Sequence, residues 1–98
     1  MARFDVYRRE RKPGFLLDCQ SDLLDEFETR LVVPLLPAER AKRATRLHPL
    51  LEVEGAKYIM VTQLAAAVPK RFLGQPVASL ADEHDTIMNA LDMLLTGY

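Results

Sequence analysis

The sequence is poor in the features that usually announce a compartment or a chemistry. One cysteine, Cys19, stands in 98 residues, so no intramolecular disulfide can form and no thiol-rich metal site can be built. A reducing compartment is the simpler expectation, and cytoplasmic localisation follows from it. There is no tryptophan, and four Gly and six Pro are too few for a fibrous or low-complexity chain. Neither sign of charge dominates: 13 basic residues against 14 acidic ones leave a net charge of −1. That balance excludes a generally cationic nucleic-acid binder and a polybasic membrane anchor, though not a local patch. Long apolar runs are missing too. The opening Met1-Ala2-Arg3-Phe4-Asp5 meets an acid at once, and the longest charge-free stretch, Tyr58 to Pro69, falls short of the ~20 residues a membrane helix needs. Neither a signal segment nor a membrane span is expected. Finally, there is no glycine-rich phosphate loop, no His-Glu-x-x-His pair and no Gly-x-Ser-x-Gly elbow, so the mechanisms built on those arrangements lose support.

What is present is enough to fold. At 49% hydrophobic and 28% charged residues the chain is too apolar for a disordered tail, and its length fits one domain spanning residues 1–98. A domain of this size buries only ~60–65% of its unfolded surface, so a second copy would usefully cover what remains and a homodimer is plausible. Phe4 and Val6 alternate with Arg3, Asp5 and Tyr7; a charged loop from Arg8 to Gly14 follows; then Phe15, Leu17 and Cys19 resume the period of two, which predicts a hairpin. Leu31-Val32-Val33 reads as a strand covered on both faces that ends or bends at Pro34, because proline has no N–H for the ladder. Leu51 and Val53, Gly55, and the run Tyr58-Ile59-Met60-Val61 predict a second hairpin.

Residues 37–48 read as a basic loop or one short helix, and Pro69, Gly74 and Pro76 break their region into short extended pieces and turns. Ser79 followed by Asp82 has capping-box spacing, which predicts a helix from there with Leu80, His84, Ile87, Leu91, Leu94 and Leu95 on one face and Gly97 closing it. The sum is an antiparallel, mainly β domain with one C-terminal helix laid on or beside the sheet.

Candidate chemistry is sparse. His48 and His84 read as structural or surface imidazoles, and Cys19, alternating with Phe15 and Leu17, as a buried thiol. Two basic clusters, Arg8-Arg9-Glu10-Arg11-Lys12 and Arg40/Lys42/Arg43/Arg46, could meet nucleic acid or an acidic peptide, but solvated loops explain them as well. The acidic group Asp22, Asp25, Glu26 and Glu28 is expected to form a turn rather than an acid-base pair. No catalytic residue is assigned, no metal and no cofactor is implied, and the chain is not expected to be an enzyme. The end, Leu94-Leu95-Thr96-Gly97-Tyr98, offers an aromatic ring beside a carboxylate, on which a partner arginine could stack and pair, or which could fold back over the last turn.

Two segments, Leu17-Asp18-Cys19-Gln20-Ser21-Asp22-Leu23-Leu24-Asp25 and Thr29-Arg30-Leu31-Val32-Val33-Pro34-Leu35, together with Tyr58 to Gln63, Ala67-Val68-Pro69 and the closing Leu95-Thr96-Gly97-Tyr98, resemble the CcdB toxins of type II toxin–antitoxin modules, in order and at family spacing. The resemblance implies a twisted antiparallel barrel-like sheet plus a small accessory sheet, shared with MazF-like ribonucleases. It also implies a homodimer that binds the GyrA protein of DNA gyrase and traps the gyrase–DNA cleavage complex. A CcdA-like antitoxin would neutralise the toxin, and operator DNA would be reached only through that antitoxin. Gyrase contacts carried over by resemblance fall on Thr96, Gly97 and Tyr98, with Asp92, Ser21 and Leu23 beside them. Thr96 and Tyr98 stand where the family's prototype has Trp and Ile, which moves the aromatic ring to the far side of the glycine. The alternatives are a MazF-like endoribonuclease, or a non-toxic homologue retained for antitoxin binding and autoregulation.

Overall fold

Strands β1 (Asp5–Arg8) and β2 (Phe15–Asp18) pair antiparallel with Val6 opposite Leu17 and Arg8 opposite Phe15, as the alternation predicts. The structure is a computed structural model and describes residues 1–40, 43 and 45–97. Gly14 closes the loop between the two strands at φ +95°, and a Cβ there would collide with the Leu35 carbonyl oxygen, so glycine is required twice over.

The spine is β3 (Thr29–Pro37), which pairs with β2 so that Val33 faces Leu17 and Pro34 faces Leu16. Of the two outcomes expected at Pro34, an end or a bend, the end is corrected: the strand runs on to Pro37. The reason lies on the far side of β3, where the partner changes. There β6 (Ala66–Pro69) pairs with Thr29 to Val32, and β5 (Ala56–Met60) pairs with Leu35 to Pro37. Pro34 sits at the changeover. Its carbonyl accepts the Val61 N–H at 3.0 Å, and the Val61 carbonyl that a ladder N–H would have met accepts instead from Leu64 N, also at 3.0 Å, in the 3-10 turn Thr62–Leu64. The missing donor therefore leaves no orphaned acceptor.

Strand β4 (Leu50–Val53) forms the second hairpin with β5 through Glu54 and Gly55, at φ +52° and +82°, the two left-handed positions of a tight type I′ turn. β7 (Ala78–Ser79) adds to β1. The described residues thus form a seven-stranded sheet in the order β4-β5-β3-β2-β1-β7, with β6 also on β3, curled into a nearly closed antiparallel barrel. The accessory pair β4–β5 joins this sheet through β3. One face carries the main core: Val6, Phe15, Leu17, Val33, Leu35, Leu51, Val53 and Met60 bury against Leu80, Ile87, Ala90 and Leu91. The opposite face carries a smaller cluster of Tyr7, Val32 and Leu73, edged by Leu16 and Val68.

The C-terminal helix is present, but it starts later than expected. Ser79 Oγ accepts from Ala81 N at 3.3 Å and opens a 3-10 turn, Ala81–Glu83; α1 then runs His84–Thr96. Gly97 closes it at φ +81°, its N–H donating to the Met93 carbonyl. Leu80, Ile87, Ala90 and Leu91 are buried as the periodicity requires, whereas His84, Leu94 and Leu95 face outward. Residues 37–48 show a short 3-10 turn, Ala38–Arg40, and a turn at 45–47; positions 41, 42 and 44 lie outside the described residues. The region around Phe72 consists of short pieces, as the prolines predict. No helix among the described residues is long and apolar enough to cross a membrane.

Candidate functional site

The acidic segment after β2 forms a turn, as expected, but an unusually well-anchored one. Ser21 caps the 3-10 turn Asp22–Leu24, its Oγ accepting Leu23 N at 3.2 Å, and Leu23 points away from the protein at 91% exposure. No residue of that turn is buried, so apolar packing does not hold it. Polar groups do. Gln20 Nε2 donates to the Leu24 carbonyl at 2.9 Å, and Gln20 Oε1 accepts from Leu31 N at 3.1 Å, tying the turn to β3.

Beneath the turn lies Arg30, fully buried. Its Nε donates to Asp18 Oδ2 at 2.8 Å, one terminal nitrogen to Asp25 Oδ1 at 2.9 Å, and the other to the Gln20 carbonyl at 3.2 Å, with Asp22 Oδ1 3.8 Å away. Lys70 adds a second cation at Asp25, 3.5 Å from Oδ1, and donates to the Asp25 carbonyl. Burial pushes the Asp18 carboxyl above its ordinary value, opposed by the Arg30 bond and by the Gln20 N–H. Burial, then the Asp5 and Asp18 charges, raise the nearby Tyr7 phenol, whose hydroxyl finds no hydrogen-bond partner among the described residues. Cys19 is a buried thiol, as expected; burial pushes it up to about 12, so it is no nucleophile at neutral pH.

The end of α1 is the second exposed element. Asp92, Thr96 and Gly97 are exposed, Thr96 Oγ1 donates to the Asp92 carbonyl at 2.7 Å, and Leu95 is 78% exposed. Tyr98 lies outside the described residues. Arg3 links the two elements: its main-chain N donates to Asp22 Oδ1 at 2.8 Å, while its guanidinium reaches the Met88 sulfur at 2.8 Å. Met88 and Asp92 are one helical turn apart, so the 21–24 turn and α1 are joined through one residue, its main chain bound to the turn and its side chain to the half-buried Met88. Leu64, also exposed, sits in the 3-10 turn against which α1 packs.

The basic clusters divide. Arg8 is paired with Glu54 at 3.0 Å and lies over the Phe15 ring, and Arg9 donates to the Pro13 carbonyl, so both brace local structure. Arg43 and Arg46, with Thr45, form one wall of a polar cleft of about 310 Å³ whose other wall is Glu83, Thr86 and Asn89. Arg43 is held there by the His48 carbonyl at 2.8 Å. His48 itself is buried, with Nε2 2.6 Å from Gln63 Oε1, which fits the structural role read for it. Among the described residues no group of three or more His, Cys, Asp or Glu is arranged to hold a metal ion.

With this geometry in view, the comparison with protein families is decisive: the family model described as CcdB protein matches residues 3–97. The chain belongs to the CcdB family. It therefore stands among the toxins of toxin–antitoxin modules. Among solved structures, an endoribonuclease in complex with its cognate antitoxin, from a mycobacterial species, is similar over 97% of this chain and 94% of that one, with a TM-score of 0.78 at 16% sequence identity. At that identity the likeness carries the fold. Of the positions that the CcdB resemblance singles out, Leu23, Asp92, Thr96 and Gly97 are exposed and Ser21 caps the turn beneath Leu23, so the two groups fall on elements that Arg3 connects. Arg30 was missed by sequence reasoning. The available signal was a pair of opposite charges, Asp18 and Arg30, each two residues from an apolar position, Leu16 and Val32, on one face; recognising it needs the β2–β3 register.

Proposed function

We propose that this CcdB-family chain acts as a homodimer that binds the GyrA protein of DNA gyrase and traps the gyrase–DNA cleavage complex, with no bond-making chemistry of its own. The observation that carries this reading is the exposure of two elements that bear the family's contact positions, the Leu23 turn and the Asp92–Gly97 end of α1, the first of them tied by Arg3 to Met88 in the body of the same helix. A poison of this type draws its effect from binding one state of its target's cycle better than the others, which calls for a preformed surface rather than a nucleophile. Doubling that surface by a twofold axis suits a twofold target. Exposed Leu64, Leu94 and Leu95 give the apolar area on which a second copy would close. A CcdA-like antitoxin, folding a disordered segment onto the dimer, would compete with gyrase and bring the pair to operator DNA.

One observation favours a second reading, the endoribonuclease. The cleft between Arg43, Arg46 and Glu83 offers cations for a phosphate and a carboxylate for proton transfer. The test compares the intact chain with one lacking residues 96–98. Purified gyrase should accumulate cleaved DNA with the intact chain, expression should arrest growth, and the truncated chain should do neither while remaining folded. Undiminished toxicity after truncation, or RNA cleavage lost in Glu83→Gln, would replace the first reading by the second.

A further inference from the structure

Burying an ion pair is a poor way to stabilise a domain, because desolvation offsets most of the attraction, and an apolar pair of similar volume often does as well. The raised Asp18 carboxyl reflects that cost. Arg30 therefore needs another reason to be fully buried. The geometry supplies one, since its three donors reach three points of a single segment: Asp18 where it leaves β2, the Gln20 carbonyl before the turn, and Asp25 after it. Between those points lie Ser21 to Leu24, which bury nothing and display Leu23.

We propose that Arg30 is a positioning residue: it pre-orders the loop that carries Leu23, so that a partner with a pocket for an aliphatic side chain meets that leucine already fixed. Ordering an exposed loop at the moment of binding weakens the complex, and a loop held beforehand avoids that loss. Gln20 assists by tying the Leu24 carbonyl to Leu31 of β3, and Lys70 by bracing Asp25 from the 3-10 turn Lys70–Phe72, but of these three it is Arg30 that reaches Asp18, the Gln20 carbonyl and Asp25 together. This role rests on the gyrase-binding reading for the partner's identity, while the loop order it asserts can be measured without any partner.

The experiment uses Asp18→Leu/Arg30→Met, which replaces the buried pair by apolar groups, together with Leu23→Ala and the triple variant. The paired variant should melt no lower than the parent. Its Leu24, Asp25 and Phe27 amides should exchange at least about tenfold faster, with the amides of β2 and β3 unchanged. Affinity for the GyrA dimerisation domain should drop about tenfold. The triple variant should bind no more weakly than Leu23→Ala, because both changes remove the same preorganised contact. Unchanged exchange at 24–27, or losses that multiply in the triple variant, would overturn the proposal. Should the paired variant not fold, Arg30→Lys, which cannot span all three acceptors, is expected to show the same faster exchange, and unchanged exchange there is equally fatal. An intact chain that fails to bind gyrase overturns the functional reading alone, and the exchange comparison then decides the role of Arg30.

Discussion

The two exposed elements of the candidate surface are held in opposite ways. The end of α1 is fixed by its main chain and by the apolar face beneath it: Ile87, Ala90 and Leu91 are buried, and Gly97 supplies the left-handed residue that closes the last turn. The Leu23 turn buries no apolar residue and is fixed by charges under it, Arg30 between Asp18 and Asp25 with Lys70 outside. A helix end thus inherits rigidity from a core the domain needs in any case. The turn requires a dedicated ionic network, and its order can be removed separately from the fold.

That contrast can be broken from either side. The largest effect is expected from Leu91→Asp, which places an unpaired charge in the main core; the variant should fail to fold or to dimerise, seen as loss of a cooperative melt and of dimer mass. Arg30→Met alone strands Asp18 as a buried charge without its partner and should cost about 3–5 kcal/mol by denaturant unfolding, in contrast to the near-neutral paired replacement.

Alkaline pH attacks the same corner through Cys19 and Tyr7. Both have raised values in the folded state, so their protonated forms favour folding; that stability is complete below their ordinary values of 9.0 and 10.0 and is lost as pH rises toward the raised ones. Unfolding free energy should therefore fall above about pH 9, by up to about 1.4 kcal/mol per pH unit for each group titrating. Cys19→Ala should flatten the part of that slope due to the thiol. Gly97→Ala should have the smallest effect, about 1 kcal/mol, since alanine is strained in the left-handed conformation even in an otherwise open site.

The same contrast explains what the sequence made legible. Elements set by local patterning were readable: both hairpins, the Glu54-Gly55 turn, the helix with its terminal glycine, and the buried Cys19 follow from periodicity and turn chemistry over a few residues. Failures occurred where a distant partner decides. Pro34 looks like a strand end until β6 and β5 are seen to exchange places beside it, with Leu64 taking up the carbonyl its absent N–H would have met. Ser79 has the spacing of a capping box, yet pairing of Ala78 and Ser79 with β1 delays the helix to His84. The outward turn of Leu94 and Leu95 does not follow from helical spacing alone, because the core ends before the helix does. For the site, resemblance named Ser21, Leu23, Asp92, Thr96 and Gly97, together with Tyr98, which lies outside the described residues. The parts that hold or join them, Arg30 and Arg3, depend on partners many residues away and carry no local pattern.

The most direct measurement is calorimetric titration of the GyrA dimerisation domain with the intact chain and with the chain lacking residues 96–98, both verified as folded. Binding by the intact chain at one dimer per twofold site, lost on truncation, is the predicted result. Equal binding by both chains, or no binding by the intact one, would contradict a toxin that works through the end of its helix.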